Sequence, residues 1–153
     1  MPEMADSESL SRALRELEAA KARVERDSEL VAREARKQLV AELLPVLDNV
    51  DRTIAAAEAS GEAPSILEGA RLVRYQLDAV LRSFGVERID ARGRRFDPAV
   101  HEAVDLVDVN DRLYDSIVID QLEPGYRFGS TLLRPAKVIV GRVSSLRQAR
   151  IGS

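Results

Sequence analysis

Few side chains in this sequence could do chemistry. The only histidine is His101, in FDPAVHEAV, with Asp97 four residues before it and Glu102 directly after. An imidazole held by a carboxylate is a general base. The same histidine beside the Asp97-Pro98 turn is also a structural residue, and the structural reading is preferred. DVNDRLYD, from Asp108, has the carboxylate spacing of a calcium loop. It carries Leu113 where that loop needs Gly and Ile119 where it needs a bidentate Glu, which excludes it. Arg92, Arg94 and Arg95 could touch phosphates, although arginines in a turn are ordinarily solvated. Gly125 and Gly129 share a G-x-x-x-G spacing, but in a strand-and-turn context it is not a helix-packing motif. No nucleophile elbow, P-loop or dinucleotide fingerprint occurs. The expectation is a protein that is not an enzyme, with no cofactor and no metal.

The composition narrows the class. Of 153 residues 32% are charged and 4% aromatic, with no Trp. That suits helices with solvated faces better than one large core. A net charge of −3 argues against a nucleic-acid partner. Cysteine is absent, so no disulfide framework or thiolate site can form. MPEMADSESL lacks the apolar stretch of a secretory signal, and no apolar run reaches the roughly 18 residues of a membrane span. The expected setting is the cytoplasm, away from membranes.

Positioning falls to helices first. From Ser7 to about Ala59 the pattern is helical, with Leu10, Leu17, Val24 and Val31 recurring every seventh residue. Leu14, Lys21, Ser28 and Ala35 fill the second seam position, so residues 1–40 read as a coiled-coil arm with a thin apolar stripe. A single helix with such a stripe buries too little to stand alone and needs a second chain. In ELLPVLDNVDRTIAAAEA, Leu43, Leu47, Val50 and Ile54 share one face, and Pro45 predicts a kink or a change of partner without ending the helix. Ser60, Gly61 and Pro64 mark a turn. A second amphipathic helix follows over Ser65–Phe84, presenting Ile66, Ala70, Val73, Leu77, Val80, Leu81 and Phe84, with Gly85 as its stop. Residues 41–85 thus form a helical hairpin. Dimerised through Leu43, Leu47, Val50, Ile54, Leu77, Val80 and Leu81, it would give a four-helix bundle.

After Gly85 the period drops to two. Strands are expected over Val86–Ile89, Ala103–Val109, Ser116–Leu122, Thr131–Arg134 and Lys137–Val143, separated by turn chemistry at Arg92-Gly93, Asp97-Pro98, Asn110-Asp111 and Pro124-Gly125. The fold class is α+β, with a small all-β domain over residues 86–145 and a flexible tail over 146–153. Within LLRPAKVIVG, Pro135 removes a ladder donor, so this strand is expected at an edge or at a bulge. Alternation sets Ala136, Val138 and Val140 on one face and Pro135, Lys137 and Ile139 on the other. One face covers the core. The other, extended by Leu122, Gly125 and Tyr126, is open to a protein partner, or else all of these residues simply pack the sheet.

Four blocks carry a family resemblance: ELLPVLDNVDRTI (Glu42–Ile54), ILEGARLVRYQLDAVLRSFGVERI (Ile66–Ile89), FDPAVHEAV (Phe96–Val104) and GYRFGSTLLRPAKVIV (Gly125–Val140). In order and spacing they resemble the GrpE family, the nucleotide exchange factors of DnaK-type chaperones. In the arm, AAKARVER stands where many members have an Asn-Tyr-x-x-Arg-like stretch, so there only length and periodicity match. The resemblance implies a homodimer with paired N-terminal helices, a four-helix bundle and two β domains. One β domain docks on the chaperone's nucleotide-binding domain and opens it, and ADP leaves. By position, it implies partner contacts at Leu122, Gly125, Tyr126, Thr131, Arg134, Pro135 and Val140. It adds Gly69, a mid-helix glycine explained by close packing or by approach of a partner. Thr131 stands where the family often has Arg, a loss that Arg127 or Arg134 would have to offset. The arm is implied to melt reversibly as a thermosensor, and His101 belongs to the family's Asp-Pro-x-x-His block in a structural role. Two alternatives stay open: a structural coiled-coil dimer that docks through its β module without exchange activity, and an enzyme built on His101 and Asp97.

Overall fold

The computed structural model describes residues 2–61 and 63–144. Helix α1 runs Pro2–Ser60 and α2 runs Pro64–Ser83, followed by strands β1 (Val86–Ile89), β2 (His101–Val109), β3 (Val118–Glu123), β4 (Gly125–Phe128), β5 (Thr131–Arg134) and β6 (Ala136–Val143). A 3-10 turn, Arg112–Tyr114, lies between β2 and β3. The α+β class holds. The expected tail over 146–153 lies outside the described residues.

The chain divides into two units, Met1–Ala41 and Glu42–Ser153. The first is helical. Its heptad residues Leu10, Leu14, Leu17, Val24 and Val31 are all at least half exposed. The ion pairs Lys21–Glu25 and Lys37–Glu34, at 4.0 and 3.8 Å, are solvent-exposed and add a few tenths of a kcal/mol each at most.

In the second unit, α1 continues through Pro45 without a break. Leu44 and Leu47 turn inward, as does Leu81 from α2. Pro64 opens α2, where its missing N–H is no loss because first-turn donors have no helical acceptor. Beyond the end of α2, Gly85 takes φ +82° and donates its N–H to the Arg82 carbonyl at 3.0 Å. That left-handed geometry favours glycine.

Six strands form two three-stranded sheets, ordered β1-β4-β5 and β2-β6-β3. The first is antiparallel throughout. In the second, β6 runs parallel to β2 and antiparallel to β3. The expected strands at Val86–Ile89 and Thr131–Arg134 match β1 and β5. Strand β4 is a correction, since the sequence pattern marks Pro124-Gly125 only as turn chemistry and the structure starts a strand at Gly125. The placement of β6 is a second correction: it is the central strand. Pro135 lies between β5 and β6, where the chain crosses from one sheet to the other, so no ladder bond is asked of its nitrogen. The alternation along β6 is as expected, with Ala136, Val138 and Val140 buried. They pack with Ala91, Val118 and Phe96 in the core of the β domain.

Candidate partner-binding site

The site is built on two carboxylates three residues apart on α1. Asp48 and Asp51 follow the buried Leu44 and Leu47 by one helical turn, so they occupy the face that meets the β1-β4-β5 sheet. Three arginines converge on them. Arg134, the last residue of β5, meets Asp48 fork to fork, with Nη1–Oδ2 and Nη2–Oδ1 both 2.6 Å. The Nη1 group of Arg134 also donates to Glu123 at 3.1 Å, and its Nε to the Pro124 carbonyl at 3.0 Å. Its guanidinium lies 5.3 Å from the centre of the Tyr126 ring. All three nitrogens of Arg134 are therefore engaged inside the chain.

Arg74 makes the second junction from α2. It is only 6% exposed. Its Nε donates to Asp51 at 2.7 Å, Nη1 to Asp78 at 2.5 Å and Nη2 to the Tyr126 hydroxyl at 2.7 Å. Arg88 of β1 reaches the same Asp51 at 3.0 Å and Asp90 at 2.8 Å. One network thus ties α1, α2, β1, β4 and β5.

The electrostatics follow from this geometry. Burial alone would lower the pKa of Arg74, but hydrogen bonds to Asp51 and Asp78 outweigh it and hold the guanidinium above its ordinary value. For Arg134, Asp48 likewise overcomes burial. In return, the hydrogen bond from Arg134 lowers the pKa of Asp48 against the opposing effect of burial. Burial raises that of the Tyr126 hydroxyl, with Arg74 opposing. Buried charges are tolerable when paired and fully hydrogen-bonded, and that condition is met here.

The residues named from sequence separate by depth. Leu122 is 62% exposed, while Thr131 and Pro135 are half-buried. Gly125, Tyr126 and Val140 are buried. A Cβ on Gly125 would stand 2.7 Å from the Ala136 nitrogen, so close approach of two strands requires the glycine. Gly69 is exposed, and a Cβ there would meet nothing within 4 Å. Close packing within the chain therefore does not explain this glycine. On the proposed dimer face, Leu43 and Val80 are exposed, Val50, Ile54 and Leu77 half-buried, and Leu47 and Leu81 buried within the single chain. Exposed Leu106, Leu113, Tyr114 and Leu132 extend the apolar surface of the β domain beyond the residues named from sequence.

The other chemical candidates take structural places. The Nδ1 of His101 accepts the Asp97 N–H at 2.9 Å, and its ring centre lies 6.0 Å from that of Phe96. Burial lowers its pKa, with Asp97 opposing and Arg94 reinforcing the shift. Arg92 pairs with Asp120, and Arg94 and Arg95 line an exposed cleft beside His101. Arg127 pairs with Glu87 and Arg134 with Asp48, so either would have to share a guanidinium that is already paired to stand in for an arginine at Thr131.

Sequence reasoning missed Asp48, Asp51, Arg74 and Arg88. A signal existed for one of them. Arg74 sits at helical spacing among Ala70, Leu77 and Leu81, so a charged residue occupies the inward stripe of α2.

Comparison with known proteins accounts for the common framework. The GrpE family model matches residues 3–142. The chain belongs to the GrpE family. Among its relatives, Protein GrpE of Bacillus pumilus is 37% identical over 123 residues, 80% of this chain and 65% of the relative. Protein GrpE of Brevibacillus choshinensis is 37% identical over 130 residues, 84% of this chain and 72% of the relative. That of Nitratidesulfovibrio vulgaris is 37% identical over 142 residues, covering 92% and 74%. The chain thus spans about two thirds to three quarters of these GrpE proteins, and just under two thirds of the first. The GrpE match takes in both helices and both sheets, including every residue of the arginine network. Among the described residues, no helix is long and apolar enough to cross a membrane.

Proposed function

We propose that this chain is an adenine-nucleotide exchange factor. In this reading it binds the nucleotide-binding domain of a DnaK-type chaperone in the cytoplasm, opens that domain and promotes ADP release. ATP then rebinds and substrate protein is released, in folding and under heat stress. The observation that carries the reading is the GrpE family match across residues 3–142. No covalent step is involved. The partner is shifted toward its open state only by as much as the chain binds that state better, and by linkage the nucleotide weakens the complex by the same factor.

Leu122, Thr131 and Pro135 are the proposed contacts of the β domain, since each keeps accessible surface. Gly125, Tyr126 and Val140 support that surface from within. Gly69 offers α2 backbone to a close approach. The reading includes a homodimer. Leu43 and Val80, joined by exposed Val46, Leu72 and Val73, form an apolar hairpin face that a second copy would cover.

The test is release of a fluorescent ADP analogue from a DnaK-type chaperone, mixed rapidly with excess ATP, with and without this chain. A concentration-dependent acceleration supports the reading. Binding without acceleration favours the non-exchanging dimer that only docks, and neither binding nor acceleration rejects the chaperone as partner.

A further inference from the structure

We propose that Arg134 and Asp48 are positioning residues: their fork-to-fork pair is a strut that fixes the angle between the helical hairpin and the β1-β4-β5 sheet. That angle determines how far the β domain opens its partner. The proposal rests on the exchange reading and deepens it, because it assigns Arg134 to the transmission of force within the chain and not to contact with the chaperone.

Three observations support it. First, all three nitrogens of Arg134 are occupied, by both oxygens of Asp48, by Glu123 and by the Pro124 carbonyl. Four of the five guanidinium hydrogens are thus spent inside the chain, and the orientation of the side chain is set by those bonds. Second, the pair spans a long stretch of chain, |i−j| of 86, and joins the end of β5 to the middle of α1. Thr131, three residues earlier in β5, and Pro135, directly after Arg134, are proposed contacts, so the strut ends within the contact surface. Third, Arg74 braces the same joint independently, holding Asp51 of α1 and the Tyr126 hydroxyl of β4 at once. Tyr126 pairs with Arg134 in the β4–β5 ladder. Two arginines, one from each side of the joint, thus cross it at neighbouring points. A bidentate pair fixes orientation as well as distance, and such bracing is needed for a wedge that must not fold back under load.

Arg134→Lys keeps the charge and loses the fork, and Asp48→Asn removes the charge from the helix side of the pair while leaving every proposed contact residue in place. Both variants are compared with the full chain in the ADP-analogue assay, reading maximal acceleration separately from half-saturating concentration. A loosened strut transmits less of the chain's preference for the open partner, so the maximum should fall about tenfold, the factor that losing roughly 1.4 kcal/mol of that preference gives, with half-saturation unchanged. The joint is read directly as well. Cysteine is absent, so spin labels at exposed Ala56→Cys and Ser130→Cys, diluted with unlabelled chain, report one hairpin-to-sheet distance. The distribution should be narrow in the parent and broad in both variants.

If Arg134 instead touched the partner, Asp48→Asn would free it and lower the half-saturating concentration, and the proposal would fail. An unchanged maximum, or a distribution that stays narrow, would also overturn it. A parent chain that shows the expected distances but never accelerates release would refute the exchange reading and leave the strut standing.

Discussion

Arg134 and Asp48 face each other through two hydrogen bonds of 2.6 Å, and that pair links the end of the fifth strand to the first helix. Its protonation has a definite consequence. The Asp48 carboxyl has a lower pKa in the folded chain than its ordinary value near 3.8. A depressed carboxylate contributes stability that is fully present above the unfolded pKa and lost as pH falls through the folded one. Acid should therefore weaken the β domain below about pH 4. Urea unfolding from pH 6 to 2 should show that loss in the parent. In Asp48→Asn the slope should be shallower, from a lower plateau.

Arg74 is the more deeply buried of the two crossing arginines. Arg74→Leu would keep the packing but leave Asp51 and Asp78 without this partner and the Tyr126 hydroxyl without its hydrogen bond. Breaking one side of a buried ionic network costs about 3 kcal/mol or more. The urea midpoint, followed by circular dichroism, should fall accordingly. Arg71→Leu removes the exposed Arg71–Glu58 pair and should change it by less than about 1 kcal/mol.

Gly125 tests the crossing between the sheets. In Gly125→Ala the added methyl would stand 2.7 Å from the Ala136 backbone nitrogen, with the Arg134 oxygen at 3.1 Å. Backbone cannot yield as a flexible side chain does, so overpacking should destabilise by about 1–3 kcal/mol. Gly69→Ala meets nothing within 4 Å and should stabilise α2 by about 1 kcal/mol. Calorimetric melting of the two variants should show opposite signs.

His101 separates the structural reading from the catalytic one. In His101→Asn the side-chain oxygen can still accept the Asp97 N–H, while the ring contact with Phe96 is lost. Acceleration of ADP release should stay within about twofold of the parent, since no proton transfer is being removed. The folded chain holds this histidine below its ordinary pKa of 6.5. Protons then bind the unfolded chain more readily, so stability should fall as pH drops below about 6.5. Comparing unfolding at pH 7.5 and 5.5 should show that decline in the parent and a smaller one in the variant.

Local pattern made much of the fold legible. The seven-residue repeat and the Leu43–Ile54 stripe marked the first helix, the 3.6-period face marked the second, and the residues of β1 and β5 followed from alternation between turn residues. β4 escaped because Gly125 has two local meanings, and its reason is not local: Ala136 lies against it. Pro135 marked a discontinuity in the right place, but whether that was an edge or a crossing depended on which strands pair with β6. The site divided along the same line. Gly125, Tyr126 and Arg134 stood out through their motif, yet their burial and pairing did not.

The sequence by itself determined the helices, most strand positions and the inward side of β6, because periodicity is set by backbone geometry and the neighbouring residues. Only the tertiary structure decided that Asp48 would face Arg134, and that Asp51 would hold both Arg74 and Arg88. Separations of 86, 23 and 37 residues leave no periodic trace. Any exposed carboxylate could serve any arginine until packing chooses, and here the buried Leu44 and Leu47 turned those two toward the sheet.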